Sequence, residues 1–260
     1  MSTPTTDHFE RVATAFSRKA AEYDAFGADH VNLARMRRKV VDHVLRFLQP
    51  TDRILELNAG TGIDAAFFAR RGYIVHAIDI APGMLDHLAD KIEQQQLHDR
   101  LTYQSLSFTE IDRVEGGPYD YLFSNFGGLN CIPDLSTVTQ HLPQVLKPGG
   151  TLTWVIMPPI CPWEMLMIVK GKFRIATRRL RRGGTLAHVE GVHFMTYYFT
   201  PQRVLKACSF YFPGNALEAS GARQLGLSNA EPAEPVALIG PGPKGGVPLP
   251  QTRQFAVFAP

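Results

Sequence analysis

The feature that most constrains this chain is an alternation of short apolar strands and helices that starts at Arg53. Arg53–Leu57 reads as a strand, followed by a glycine turn and a helix over Ile63–Arg70. A second strand, Tyr73–Ile78, leads into a helix over Pro82–Gln94, with Pro82 where helices begin. Leu101–Ser105 and Tyr119–Ser124 read as strands, Leu135–Leu146 as a helix and Thr151–Met157 as a fifth strand. Such an order implies βα units, right-handed crossovers and a parallel sheet. Two stretches of helical spacing come first, His8–Asp24 and Val31–Leu48, the second stopped by Pro50. After the fifth strand the pattern changes. Pro162–Arg182 reads as one long helix closed by Gly183-Gly184, Val189–Phe199 is β-rich, and Pro201–Phe210 is a helix. Strands are expected near 216–222 and at Arg253–Phe258. Between them, residues 232–250 hold six Pro and four Gly among 19 residues, the composition of a loop.

Composition narrows the class. Of 260 residues 45% are hydrophobic and 20% charged, a globular balance that excludes a disordered chain. A net charge of +3 does not suggest general nucleic-acid binding. Cys131, Cys161 and Cys208 lie far apart with no ligand spacing, so neither a disulfide framework nor a metal site is expected. The first ten residues lack the apolar core of a signal peptide. The longest apolar run, Trp154–Trp163, is cut by Pro158, Pro159 and Pro162, so no membrane crossing is expected and a cytoplasmic enzyme is the default.

The glycine turn carries the functional signal. Ile54-Leu55-Glu56-Leu57-Asn58-Ala59-Gly60-Thr61-Gly62 joins a buried strand to a helix whose first N–H groups face the turn. Taken alone, Gly60–Ala65 also fits the G-x-G-x-x-A dinucleotide pattern. A second acid, Asp79, ends the next strand 17 residues after Gly62, where a carboxylate can accept from both hydroxyls of a ribose. Together with Val75–Leu85, Tyr119–Asn125 and Leu146-Lys147-Pro148-Gly149-Gly150, this region resembles the class I S-adenosylmethionine-dependent methyltransferases over roughly residues 50–160. Two positions depart from the family pattern. Asn58 stands for the first motif glycine, and Ser105-Leu106-Ser107-Phe108 lacks the acid that often follows strand three.

The resemblance implies an α/β fold: a Rossmann-like, seven-stranded, mostly parallel sheet with an antiparallel last strand, Arg253–Phe258. It implies a helical cap (1–50), a cofactor core (51–160), a lid insertion (161–200) and a completion of the sheet (201–260). S-adenosyl-L-methionine is the implied cofactor, held by Glu56, Asn58, Gly60, Gly62, Asp79, Ile80, Met84, Ser107, Phe108 and Asn125. Glu56 would sit near the methionine amino end, although it also suits a carboxylate that only stabilises the N–H groups of the glycine loop; Ser107 or backbone groups would contact adenine and Phe108 would stack nearby. Two rival classes are an NAD-dependent oxidoreductase and a cofactor-binding module without catalysis.

Methyl transfer from a sulfonium is an in-line displacement, which needs a base only when the acceptor must lose a proton. Phe16 and Tyr23 precede the core in a stretch similar to the segment that closes over the cofactor in small-molecule methyltransferases. Tyr23 also suits a plain buried aromatic. Asn130 and Cys131 are candidates to face the acceptor, although Cys131 equally suits a small buried hydrophobe. Residues 125–131 do not form the Asn/Asp-Pro-Pro-aromatic motif of enzymes that methylate base amino groups. Catalytic candidates are His193, Tyr197 and Tyr23. On a strand, Glu190 would take one face and His193 with Tyr197 the other. His193 suits a base by its ordinary pKa, and a solvated or hydrogen-bonded strand histidine is the plainer reading.

Seven of the 27 bases fall within 170–182, where there is no acid. As one helix, this stretch would set Met165, Ile168, Val169, Phe173, Ala176 and Leu180 on one stripe, and Lys170, Arg174, Arg178 and Arg181 on another. Arg174 is the acceptor-side candidate among them. Such a helix would suit an anionic membrane surface, a phosphate-bearing carrier or an acidic protein. Phe16–Asp24 and Ser124–Asp134 also show partial similarity to malonyl-carrier-protein methyltransferases. The expected activity is methyl transfer to a small or carrier-bound, hydrophobic acceptor at oxygen or carbon, with malonyl-carrier O-methylation as the alternative.

Overall fold

A computed structural model describes residues 6–181, 183–209 and 255–258. Two helices lead, α1 (Thr6–Asp29) and α2 (Val31–Leu45). The alternating region then follows as β1 (Arg53–Leu57), α3 (Ile63–Arg70), β2 (Ile74–Asp79), α4 (Pro82–Gln94), β3 (Leu101–Ser105) and β4 (Tyr119–Ser124). Two short helices, α5 (Ser136–Thr139) and α6 (Leu142–Val145), precede β5 (Leu146–Val155). Then come α7 (Pro162–Met165), α8 (Phe173–Ala176), β6 (Thr185–Val189), β7 (Val192–Thr196), α9 (Pro201–Ser209) and β8 (Phe255–Phe258).

The main sheet runs β3-β2-β1-β4-β5-β8 with every pair parallel. The chain winds outward from β1 to β3 and returns to β4 on the other side of β1. That reversal opens a crevice at the carboxyl ends of β1 and β4. Side chains alternate across the sheet, as period-two strands require. Leu55, Leu57, Leu122 and Trp154 pack with Val138, Leu142 and Val204 on one face. Ile54, Tyr121, Phe123 and Val155 pack with Val40, Val44, Phe68 and Leu88 on the other. Tyr119 breaks the alternation, because the β4–β5 register shifts between Tyr119 and Tyr121. Helix α1 touches both α4 and β7. Val12, Ala15, Cys131 and Phe194 form a small apolar cluster between α1 and β7, with Phe16 and Ile80 against it. No helix among the described residues is long and apolar enough to cross a membrane.

Four expectations are corrected. First, the last strand is parallel: Leu152–Val155 pair with Phe255–Phe258 in the same direction. The sheet holds six strands among the described residues, and β6 and β7 form a separate antiparallel pair. Second, Leu135–Leu146 is not one helix. Pro143 has no N–H to offer the carbonyl four residues back, and α5 and α6 are separated there. Third, the fifth strand starts at Leu146 rather than Thr151, taking in the Pro148-Gly149-Gly150 turn. Fourth, Pro162–Arg182 is broken into α7, a 3₁₀ turn at Leu166–Ile168, α8 and a second 3₁₀ turn at Arg178–Leu180. Gly171 turns the chain at φ +69°. The 216–222 strand and the 232–250 loop lie outside the described residues.

The β-rich stretch is a hairpin whose corner is Glu190-Gly191, with φ +46° and +77°. Glu190 therefore takes neither strand face, and β7 ends at Thr196, before Tyr197.

Candidate functional site

The site grows from the β1–α3 turn. Gly62 caps α3 at φ +73°, and a Cβ there would come within 2.2 Å of the Leu88 side chain, so α4 lies hard against the turn. Gly60 N–H donates to Asp79 Oδ2 and Ala81 N–H donates to Asp79 Oδ1, both at 2.8 Å. Each carboxylate oxygen keeps a further lone pair for a ligand. Burial raises the Asp79 pKa, and the hydrogen bonds from Ala81 and Gly60 oppose that rise.

Asn58 adopts φ +47°, a left-handed turn that asparagine tolerates better than most residues. Its side chain ties the two central loops together. Ser124 Oγ donates to Asn58 Oδ1 at 2.7 Å, and Asn58 Nδ2 donates to the Asn125 carbonyl at 3.1 Å. A Cβ on residue 128 would stand 2.2 Å from Asn58 Cγ. Gly128 therefore supplies the room that the Asn58 side chain takes.

The cleft has two unlike ends. At the polar end, Tyr23, Arg37, Glu56, Asn58, Thr61, Asp64 and Asn125 line a recess of about 250 Å³. Arg37, from α2, pairs with Asp64 at 2.6 Å and lies over the Phe126 ring at 4.7 Å. Asn125 Nδ2 donates to the same Asp64 oxygen at 2.8 Å. Burial works against the Arg37 charge, and Asp64 more than offsets it. Glu56 is 2% exposed, and its Oε2 has no hydrogen-bond partner. Burial, then the nearby Asp64, pushes the Glu56 pKa well above the ordinary carboxylate range. An orphaned buried carboxylate beside a second acid is a place for a cationic group.

The other end is apolar. Val12, Phe16, Ile80, Met84, Leu106, Phe108 and Cys131 join Tyr23, Asn58, Gly60, Asp79 and Asn125 around a cavity of about 630 Å³. Helix α1 roofs it and is pinned along its length. His8 Nε2 meets the Cys131 carbonyl at 2.7 Å, Lys19 pairs with Glu190 at 3.2 Å, and Lys91 pairs with Asp24 at 2.7 Å.

Glu56, Asn58, Gly60, Asp79, Ile80, Met84, Phe108, Asn125 and Tyr23 all meet at this cleft. Gly62 and Ser107 are not among its lining residues. Ser107 caps the 3₁₀ turn at Phe108–Arg113, accepting from Thr109 N–H. Asn130 is fully buried. It donates to the carbonyls of Met157 and Tyr197 and accepts from Met157 N–H at 2.8 Å, so it is spent on joining loops. Tyr197 is half-buried beside the core and does not line the cleft. His193 stacks on His188 at 4.5 Å on the exposed face of the hairpin, while Ala187, Val192 and Phe194 face α1. Arg174 lies exposed in α8. Arg37 and Asp64 escaped the sequence analysis. Arg37 falls three, four and seven residues before Val40, Val41 and Val44, all buried, so a base on a buried stripe was the available signal.

Comparison with known proteins agrees with this geometry. Residues 54–150 match the family described as a methyltransferase domain. They are a methyltransferase domain. The chain is similar to a malonyl-[acyl-carrier protein] O-methyltransferase of Halorhodospira halophila, 26% identical over 84% of this chain and 74% of the relative. It is also similar to a malonyl-[acyl-carrier protein] O-methyltransferase of Serratia marcescens, 32% identical over 55% of this chain. The chain spans about half the length of that relative (51%). Among solved structures the DhpI-SAM-HEP complex shares the fold, with a TM-score of 0.58, 16% identity and coverage of 80% of this chain and 91% of that one. The methyltransferase domain holds the glycine turn, Glu56, Asp64 and Asp79, whereas Arg37 and the α1 roof lie before it.

Proposed function

We propose that this methyltransferase moves the methyl group of S-adenosylmethionine to a small or carrier-bound acid, at a carboxylate oxygen, with malonyl-carrier protein as the first acceptor to test. The observation that carries the donor half is the orphaned Glu56 Oε2 at the polar end of the cleft. It would hold the ammonium of the methionine moiety, Asp79 would accept from the ribose hydroxyls, and Met84, Leu106 and Phe108 would cover the adenine. When bound, the donor supplies an electrophilic methyl on a sulfonium centre. In this reading residues 1–50 and 161–200 act as cap and lid over the core 51–160.

The acceptor half rests on the absence of a base suited to neutral pH. Among the described residues lining the cleft there is no histidine or lysine. Burial pushes the Cys131 thiol up to about 12 and raises the Tyr23 phenol, so neither gives up a proton at pH 7. Glu56 and Asp79, the carboxyl groups whose pKa burial raises, are in this reading taken by the donor's ammonium and ribose hydroxyls. An acceptor here brings its own ionised nucleophile, which a carboxylate does at pH 7 and an alcohol does not.

The test is transfer of labelled methyl from S-adenosylmethionine to malonyl-carrier protein and to an alcohol-bearing analogue of the same chain. The expected product is a base-labile methyl ester on the acid alone, at a rate that is flat from about pH 6 to about pH 8 when S-adenosylmethionine is saturating. Equal transfer to the alcohol, or no transfer to any carboxylic acid, would overturn the acceptor half. Failure to bind S-adenosylhomocysteine would overturn the donor half.

A further inference from the structure

We infer that the loop at Gly171 is a membrane-surface contact that rests on anionic lipid. Its basis is the arrangement left once the expected helix is broken. Gly171 ends the turn before it: its N–H donates to the Ile168 carbonyl and the Lys172 N–H donates to the Met167 carbonyl, both at 2.9 Å. This is the glycine-terminated end of a helical turn. The chain then reverses into α8, and the tip reads Val169-Lys170-Gly171-Lys172-Phe173. Val169 is 85% exposed and Phe173 62% exposed. Leu166, Ile168, Ile175 and Leu180 on the same segment are also exposed. An apolar tip of this kind is seldom left in water without a partner.

The charges select the partner. Lys170 and Lys172 are exposed at the tip and Arg174 and Arg181 further along the segment, and none of them forms an ion pair among the described residues. Glu164, the acid of the segment, is already taken. Arg178 Nη2 and Arg179 Nη2 reach its Oε1 at 2.6 and 2.8 Å. Hydrogen bonds from these two arginines hold its pKa down to about 2 against the effect of burial. Arg178 and Arg179 therefore stabilise the base of the loop, and the outward bases are left to a partner. Residues 210–254 of this chain carry three acids and three bases, so they offer no net complementary charge. The apolar side chains alternate with lysines at an exposed turn, with open space around Gly171. That suits a fluid anionic bilayer, into which Val169 and Phe173 insert while Lys170 and Lys172 stay at the headgroups.

The test uses the full chain with phosphatidylcholine vesicles and with vesicles that also contain phosphatidylglycerol. Partition onto the anionic vesicles should exceed that onto the neutral ones by about tenfold and fall as salt rises. The pair Val169→Ser with Phe173→Ser, and the pair Lys170→Glu with Lys172→Glu, should each lower it about tenfold. Both should keep the circular dichroism and the S-adenosylhomocysteine affinity of the parent. Equal partition onto both vesicle types, or variants that partition like the parent, would overturn the proposal. So would loss of binding to an acidic carrier protein, or of self-association, in variants of a chain that never bound vesicles. Vesicle binding is read without turnover, so its failure and that of the acceptor reading are distinguishable.

Discussion

The two ends of the cleft are built on opposite principles. The polar end crowds Glu56, Asp64 and Arg37 into a recess where two carboxylate oxygens lack hydrogen-bond partners. At the apolar end Val12 and Phe16, on the roof helix, fix shape and exclude water but exchange no proton, beside the Met84, Leu106 and Phe108 that would cover the donor's adenine. A charged, fixed end suits a donor that is the same in every turnover. A chemically blank end suits an acceptor that brings its own nucleophile. Substitutions at the two ends should therefore separate cleanly into donor binding and acceptor use.

The largest effect is expected at Glu56. Replacing Glu56 by Gln keeps the shape but removes the charge that a methionine ammonium would meet. S-adenosylhomocysteine affinity should fall by about a hundredfold, as for loss of a buried charged hydrogen bond, while circular dichroism is unchanged. Calorimetry with the purified variant reads this directly. A change of less than about threefold would remove Glu56 from donor binding and leave the polar end without its distinguishing group.

Next comes the join between the ends. Gly128→Ala drives a methyl into Asn58, and overpacking of this kind costs roughly 1–3 kcal/mol. Denaturant unfolding should show that loss, and the double variant with Asn58→Gly should recover part of it. Recovery would show that the asparagine in the glycine turn is matched by the glycine after β4, and that the two loops act as one piece. Absence of recovery would mean that losing the Asn58–Ser124 and Asn58–Asn125 hydrogen bonds costs more than relieving the clash gains.

These residues also mark what the sequence could disclose. The turn from Glu56 to Gly62, Asp79 and the bounds of α3, α4, β3 and β4 were legible, because a buried parallel strand followed by a glycine turn leaves little freedom. Gly128 was not: its partner is 70 residues earlier, and nothing local marks the contact. Arg37 and Asp64 were missed for a similar reason, since each makes sense only once α2 and α3 face one another. His193 was mislocated because a strand pattern does not tell which face is covered; the cover comes from α1, far away in the chain. The segment after Pro162 misled through its periodicity. Its apolar and basic residues do fall at helical intervals, but Gly171 ends the turn, and Arg178 and Arg179 fold back onto Glu164. The direction of the last strand had only family resemblance behind it, and its pairing with β5 is parallel.

A smaller effect is expected at the apolar end. Phe16 lines the cavity and tilts against Phe194 at 5.9 Å. Phe16→Ala should raise the acceptor KM about fivefold, the order expected for a partly exposed aromatic contact. The affinity for S-adenosylhomocysteine should stay within about twofold. An equal effect on both ligands would mean that the roof helix serves the two ends alike, and the proposed division would fail.

The smallest effect, and the one that compares the ends in a single protein, is on pH. Glu56 has a folded pKa raised by burial above its unfolded value of about 4.5. A raised value means that the ligand-free fold prefers the protonated acid. Its contribution to stability is full below about pH 4.5 and is lost as pH rises through the raised folded value. Relative to Glu56→Gln, the parent should therefore lose melting temperature as pH rises across that window, by a few degrees at most. Donor binding must run the other way, because an ammonium needs the ionised carboxylate: affinity should fall as pH drops through the same window. The acceptor KM, set by groups that do not titrate there, should stay level. Parallel pH profiles for donor and acceptor that are both lost in Glu56→Gln would show that Glu56 governs both ends and would end the proposed division.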